Sequence, residues 1–199
     1  MHKKSYYIIN GITVYRLIAA PLLAILIIYN LPGIFKWLLA VSYLTDAVDG
    51  YLARKFKVTS IAGAKLDSVA DYLTIIVSIV GVIVFKPEFL KQELMLIIFL
   101  ISLFIIQTVI GLIRYGKLTS FHTYAAKVSA IIFVVFLLTL FFFPDKYELL
   151  FYGTAFLITT ELIEEIILCF MLTTWEADVK GLYWVINRNK NKTPVIKET

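Results

Sequence analysis

Long apolar runs separated by short polar breaks set the pattern of this chain. Six runs stand out: residues 12–29, closed by Asn-Leu-Pro-Gly; 34–56; 61–85, ended by Lys-Pro-Glu; 92–115; 122–143, ended by Pro-Asp-Lys; and 147–174. Wound as helices at about 1.5 Å per residue, such runs are long enough to cross a hydrocarbon core of roughly 30 Å. Their β-branched and aromatic content does not argue for strands, because lipid-exposed backbone must satisfy its own hydrogen bonds and a run this long does so as a helix. The pattern predicts an all-α integral membrane protein with six transmembrane helices. The basic, aromatic segment 1–10 predicts a short N-terminal interfacial helix. Residues 175–184 (WEADVKGLYW) read as a second surface helix anchored by Trp175 and Trp184, and 186–199 as a polar tail. No internal repeat or composition shift divides residues 1–199, which are expected to form a single membrane domain.

Composition agrees with the pattern. Of 199 residues, 60% are apolar, above the roughly 45–50% of soluble domains. The formal charge is +5, but its placement says more. With the N-terminus inside, only Lys36, Lys86, Lys91 and Lys146 of the 19 lysines and arginines fall outside. By the positive-inside rule both termini are cytoplasmic, as is the 57–60 connection. Cys169 lies in an apolar run and is expected to be a buried packing residue, since a lone cysteine forms no internal disulfide. No removable signal peptide is expected.

The stretch 46–71, DAVDGYLARKFKVTSIAGAKLDSVAD, departs from the apolar pattern. Asp46 and Asp49 are three apart on the second predicted span. Asp67 and Asp71 are four apart at the start of the third. Each spacing puts both side chains on one helix face. A short connection makes the two helices antiparallel neighbours, so the pairs are expected to face each other. One aspartate in a span costs about 2.5–3.5 kcal/mol on insertion scales, and four would cost roughly 10 kcal/mol uncompensated. Two divalent cations, Mg2+ or Mn2+, resolve both the burial and the mutual repulsion, and two such ions are the arrangement that clamps a phosphoryl group. Gly50, Ala53 and Gly63 allow close approach of a helix or ligand. Arg54 offers a fork for a diphosphate.

These residues resemble the signature of the CDP-alcohol phosphatidyltransferase family, D-x2-D-G-x2-A-R-x8-G-x3-D-x3-D. Asp46, Asp49, Gly50, Ala53, Arg54, Gly63, Asp67 and Asp71 fill each fixed position in order. The resemblance implies that Asp46, Asp49, Asp67 and Asp71 ligate the metals, and that Asp71 is also the catalytic base. It further implies that Gly50 and Arg54 hold the cytidine diphosphate of the donor, with Ser60 also touching it. Residues 8–21 resemble the N-x2-T-x2-R-x4-P opening of the first span in this family, which adds Asn10 and Thr13 to the donor-binding set. The implied reaction takes a phosphatidyl group from CDP-diacylglycerol to a hydroxyl acceptor and releases CMP, in phospholipid biosynthesis. The implied setting is the cell inner membrane, with a homodimer, a small polar acceptor and no nucleic acid.

A second polar group suggests the acceptor. Arg114, Lys117, His122 and Lys127 lie at the predicted cytoplasmic ends of spans four and five, Lys127 more than a turn inside the fifth. Arg114, Lys117 and Lys127 suit a phosphorylated acceptor, glycerol 3-phosphate being the first expectation. Inositol phosphate, serine and phosphatidylglycerol stay open. Glu161, Glu164 and Glu165 either pair with those bases or favour an amine-bearing acceptor. In a different class, intramembrane aspartates also fit a divalent-cation transporter, and a silent, lipid-nucleotide-binding member is a third reading.

Overall fold

The computed structural model describes the backbone of residues 2–56, 61–117, 121, 123–176 and 179–190, and the side chains of 11, 13–48, 66–117, 121, 123–176 and 179–188. Among the described residues the only regular elements are helices, with no strand: α1 (His2–Ile28), α2 (Pro32–Phe56), α3 (Ile61–Phe85), α4 (Pro87–Gln92), α5 (Leu94–Tyr115), α6 (Tyr124–Phe142), α7 (Glu148–Met171) and α8 (Leu182–Lys190). They form two compact units, one of α1–α4 with Leu140–Phe142, the other of the remaining α5–α8 residues.

The predicted breaks are physical helix ends. Asn30 adopts the left-handed region at φ 53°. The Asn30 amide donates to the Ile27 carbonyl at 3.0 Å and the Leu31 amide to the Leu26 carbonyl at 2.9 Å. This is a Schellman cap, with asparagine at the position where glycine is commonest. Pro32 then opens α2 and Pro87 opens α4, at the first helical position where a missing amide costs least. Gly116, at φ 65°, closes α5 by donating to the Leu112 carbonyl at 2.9 Å.

In the first unit each helix turns a stripe at three- and four-residue spacing inward. The buried residues are Thr13, Arg16, Ala19, Ala20, Leu23 and Ile27 of α1, Phe35, Leu39, Ser42 and Tyr43 of α2, and Ala70, Thr74, Ser78 and Val82 of α3. The stripe changes character along its length. Charge gathers around Arg16. Hydroxyls follow, with Tyr43 and Ser78 bonded at 3.0 Å and the Thr74 and Ser78 hydroxyls donating to the carbonyls of Ala70 and Thr74. Aromatic rings close the far end, where Phe35 lies 5.2 Å from Phe85 and 5.2 Å from Phe141.

In the second unit Phe121, Leu168, Cys169, Leu172, Val179 and Val185 form a core. Cys169 is thus the buried packing residue the sequence predicts. The Val179 amide donates to the Phe121 carbonyl at 3.1 Å, and the Tyr124 amide to the Lys180 carbonyl at 3.2 Å. Thr123 caps α6 by accepting from the Ala126 amide at 3.1 Å.

Several expectations change. Residues 1–10 were expected to make a separate interfacial helix, but α1 runs unbroken from His2. Its one internal proline, Pro21, removes a single ladder donor and does not end the helix. Residues 172–176 and 179–181 are not helical, so the expected 175–184 helix shrinks to α8, which contains Trp184 but not Trp175. α8 also takes in 186–190 of the expected tail, because Val185 is buried and Leu182 packs beside it. A further short helix, α4, precedes the fourth span. Among the described residues, three helical segments are long and apolar enough to cross a membrane: Leu66–Phe85, Leu94–Tyr115 and Tyr124–Phe142. Thr13–Ile28 is a shorter apolar helix. α7 falls outside that group because Glu161, Glu164 and Glu165 interrupt its apolar character, and Lys36 and Asp46 lower that of the described part of α2.

Gly81 supplies a test of the aromatic end. A Cβ there would stand 2.4 Å from Phe35 Cζ, and Phe35 is fully buried between two rings. Gly81→Ala should therefore cost stability despite alanine's better helix propensity, by about 1–2 kcal/mol net. Thermal melting in detergent should show a lower Tm, partly restored by Phe35→Leu. A Tm at or above wild type would contradict this packing.

Candidate functional site

Two helices bring the aspartates together, as their spacing predicts. Asp46 comes from α2, and Asp67 and Asp71 from the first turns of α3. One carboxylate oxygen of each lies within 4.8 Å of the others. Unit charges at that separation, at an effective dielectric of about 20, repel by ~3–4 kcal/mol per pair. The group that offsets this repulsion is Arg16 of α1. Its Nη1 lies 2.6 Å from Asp46 Oδ1 and 3.0 Å from Asp67 Oδ1, and its Nη2 bonds Asp71 Oδ1. Arg16 is 1% exposed, whereas the three carboxylates keep 41%, 42% and 41%. The guanidinium is therefore buried beneath three carboxylates that are each partly exposed.

One cation among three anions leaves the described cluster with a charge deficit that suits a divalent ion. The donor set is all carboxylate oxygen, the preference of Mg2+ and Mn2+. The residues present thus fit such metals, and the convergence of three half-exposed carboxylates is the observation that says so.

Arg16 is the site residue that sequence reasoning missed. It fills the arginine position of the N-x2-T-x2-R-x4-P pattern and adds to the cytoplasmic charge, but was given no role in the site. The signal was there: a single arginine inside the apolar stretch of α1, one turn after Thr13 and in register with Ala20 and Leu23. Thr13 itself is buried on that same face. Asp49, Gly50, Ala53, Arg54, Gly63 and Asn10 lie in helical backbone outside the described side chains, and Ser60 and His122 lie outside the described residues altogether.

The basic residues have visible engagements in the second unit. Arg114 Nε donates to the Leu172 carbonyl, and its Nη2 to the Phe170 and Leu172 carbonyls, all at 3.3 Å. It thereby satisfies the carbonyl end of α7, where a cation is also favoured by the helix dipole. Lys117 Nζ lies 5.2 Å from the Trp175 ring, and Lys127 Nζ 5.5 Å from the Tyr124 ring. All three side chains are exposed. Lys127 stands in the first turn of α6, not deeper, because the helix starts at Tyr124.

Two acidic residues of α7, Glu164 and Glu165, accept from backbone amides. Glu164 Oε1 accepts the Leu182 amide at 2.8 Å, satisfying a donor at the start of α8. Gly181 beside it has φ 147°, and a Cβ there would meet the same oxygen at 2.9 Å. Glu165, buried, accepts from Gln107 Nε2 at 2.6 Å and from the Phe121 amide at 3.5 Å. Neither carboxylate forms an ion pair with the basic residues among the described side chains. At the surface, Arg188 makes a two-point pair with Glu176 at 2.7 and 3.0 Å; that hydrogen bond raises the Arg188 pKa above its ordinary value.

The fold and cluster define an all-helical, membrane-type protein with a carboxylate site lodged between its first three helices. The sequence model of the CDP-alcohol phosphatidyltransferase family matches residues 6–175, so the chain belongs to that family. A cardiolipin synthase (CMP-forming)/mitochondrial hydrolase fusion protein of Schizosaccharomyces pombe is 47% identical over 62 residues, 31% of this chain and 10% of that protein. The CDP-diacylglycerol–inositol 3-phosphatidyltransferase of Saccharomyces cerevisiae is 44% identical over 33% of this chain and 30% of its own length. A CDP-diacylglycerol–glycerol-3-phosphate 3-phosphatidyltransferase of Cereibacter sphaeroides is 38% identical over 38% of this chain and 36% of its own. The matches thus span well under half of these relatives. No solved structure matches the chain.

Glu165→Ala separates structural from functional roles for the α7 carboxylates. It leaves the buried Gln107 amide and the Phe121 amide without their acceptor, which should cost about 1–3 kcal/mol. A lower Tm with Mn2+ binding unchanged is expected. A loss of bound Mn2+ in a folded variant would make Glu165 a ligand instead.

Proposed function

We propose that the chain transfers a phosphatidyl group from CDP-diacylglycerol to a hydroxyl acceptor and releases CMP. The observation that carries this reading is the convergence of Asp46, Asp67 and Asp71 from two helices, in a chain of this family. Asp46, Asp49, Asp67 and Asp71 are the residues to hold two divalent cations, Mg2+ or Mn2+. When bound, such ions neutralise charge on the donor's pyrophosphate. Gly50, Arg54, Ser60, Asn10 and Thr13 bind the cytidine diphosphate side. Asp71 takes the proton from the acceptor hydroxyl. The oxygen so released attacks the lipid-proximal phosphorus, and the bond to CMP breaks. Catalysis rests on holding these groups in line.

Glycerol 3-phosphate is the acceptor this reading favours. Two supports are the exposed Lys117 and Lys127 and the glycerol-3-phosphate enzyme among the relatives. Lys127 sits where a helix start disfavours a cation, so its charge is not there to stabilise α6. Arg114 joins the acceptor set while also closing α7. The relative that uses inositol supports a competing acceptor.

The same reading makes the protein a six-span, multi-pass inner-membrane enzyme working as a homodimer. α2 and α7, of 25 and 24 residues, are long enough to span alongside the apolar helices. Its termini and site face the cytoplasm, by the distribution of Lys and Arg.

Purified protein given CDP-diacylglycerol, Mg2+ or Mn2+ and a panel of hydroxyl acceptors should release CMP, fastest with glycerol 3-phosphate. No CMP with any acceptor would remove the reading. Asp71→Asn should lower kcat by two orders of magnitude or more, on the scale of general-base catalysis, while donor binding persists. Lys127→Ala should raise KM for a phosphorylated acceptor with kcat little changed, and an unaltered KM would take Lys127 out of the acceptor pocket. It is a cleaner probe than Arg114→Ala, which also uncaps α7.

A further inference from the structure

We propose that Arg16 is the resident counter-ion of the carboxylate site: it holds Asp46, Asp67 and Asp71 together before metal binds, and yields to the metal when it does. The inference rests on the reading of the cluster as a metal site.

Three observations carry it. First, the two Nη atoms of Arg16 engage the Oδ1 atoms of all three aspartates, so the guanidinium stands where a shared cation belongs. Second, Arg16 Nε is buried with no hydrogen-bond partner. A structural arginine in a helix interior is ordinarily fixed by backbone carbonyls as well, as Arg114 is at the end of α7. The described bonds of Arg16 all go to the carboxylates, so competition for those oxygens loosens its grip as a whole. Third, Arg16 is buried while each carboxylate keeps an exposed face, so a metal can reach the carboxylates without passing the guanidinium.

The electrostatic sign follows. Without a cation the three carboxylates repel, and the helices bearing them lose their reason to converge. With Arg16 they stay ionised and gathered. A divalent ion taking the same oxygens meets a positive charge only a few ångströms away, which weakens its binding. Arg16 therefore exchanges metal affinity for a site that keeps its shape while empty. Arg16 is a positioning residue here, acting on the reaction through the aspartates.

The test compares wild type, Arg16→Met and Arg16→Lys, purified in detergent and stripped with EDTA. Free Mn2+ is followed by its paramagnetic resonance during titration, and melting is recorded with and without Mn2+. R16M should bind Mn2+ roughly tenfold or more tightly than wild type. R16K, which keeps the charge, should stay near the wild-type affinity. Stripped R16M should melt below stripped wild type, and the gap should narrow on Mn2+ saturation. An affinity in R16M equal to or weaker than wild type overturns the proposal, as does a melting gap that Mn2+ leaves unchanged. If R16M does not fold, Arg16→Gln takes its place with the same expected and overturning results. Wild type that binds no Mn2+ overturns both this proposal and the phosphatidyl-transfer reading. CMP release intact in the wild type, with R16M no tighter for Mn2+, overturns the role of Arg16 alone.

Discussion

A guanidinium ringed by carboxylates sets the terms for the first three helices. Isolated, Arg16 on α1 and the aspartates on α2 and α3 would each resist burial among apolar helices. Together they make burial tolerable, but only in one arrangement. α1 must bring position 16 against both partners, which it does through the small side chains of Ala19 and Ala20 in the same buried stripe. The chemistry and the packing therefore depend on the same contacts. Removing an aspartate costs more than its contact contributes, because the buried Arg16 is left charged with one partner fewer.

The second unit solves a smaller version of the same problem. α7 ends among apolar residues, and its last carbonyls are claimed by Arg114 and by the Tyr115 hydroxyl, which donates to Cys169 and Leu172 at 3.0 and 2.9 Å. Glu164 and Glu165 take up amides from the two flanking segments. Polar side chains here act as fasteners for backbone groups that the helix ladders leave unpaired at their ends.

The sequence was most legible where one local rule decided the outcome. Asn30, Pro32, Pro87 and Gly116 stop or start helices by their own backbone chemistry, and the run 61–85 reappears as α3 without a residue's change. The pairing of Asp46 with Asp67 and Asp71 was readable because spacings of three and four fix a helix face. Arg16 was not readable in the same way. Its role depends on which side of α1 meets α2 and α3, and that is a tertiary fact. The start of α1 and the extent of α8 were misjudged for a related reason. Asn10-Gly11 is a turn signal between residues 1–10 and the span after them, yet α1 carries through it. The end of α8 depends on Val185 reaching a core built by Phe121 and Leu168, far away in sequence. The glutamates of α7 were read as partners for the basic residues or for an amine-bearing acceptor, and Glu164 and Glu165 accept amides of this chain, because carboxylate chemistry alone does not say which donors will come near.

The graded interior of the first unit bears on where an ion can go. Moving away from Arg16, the stripe passes through hydroxyls into Leu23, Leu39 and Phe35, all 0% exposed, with Phe85 and Phe141 against the Phe35 ring. An ion drawn to the carboxylates meets a greasy plug, not a corridor. Among the described residues, the two ends of these three helices are thus opposite environments for an ion, one gathering charge and the other closed to it by packed rings.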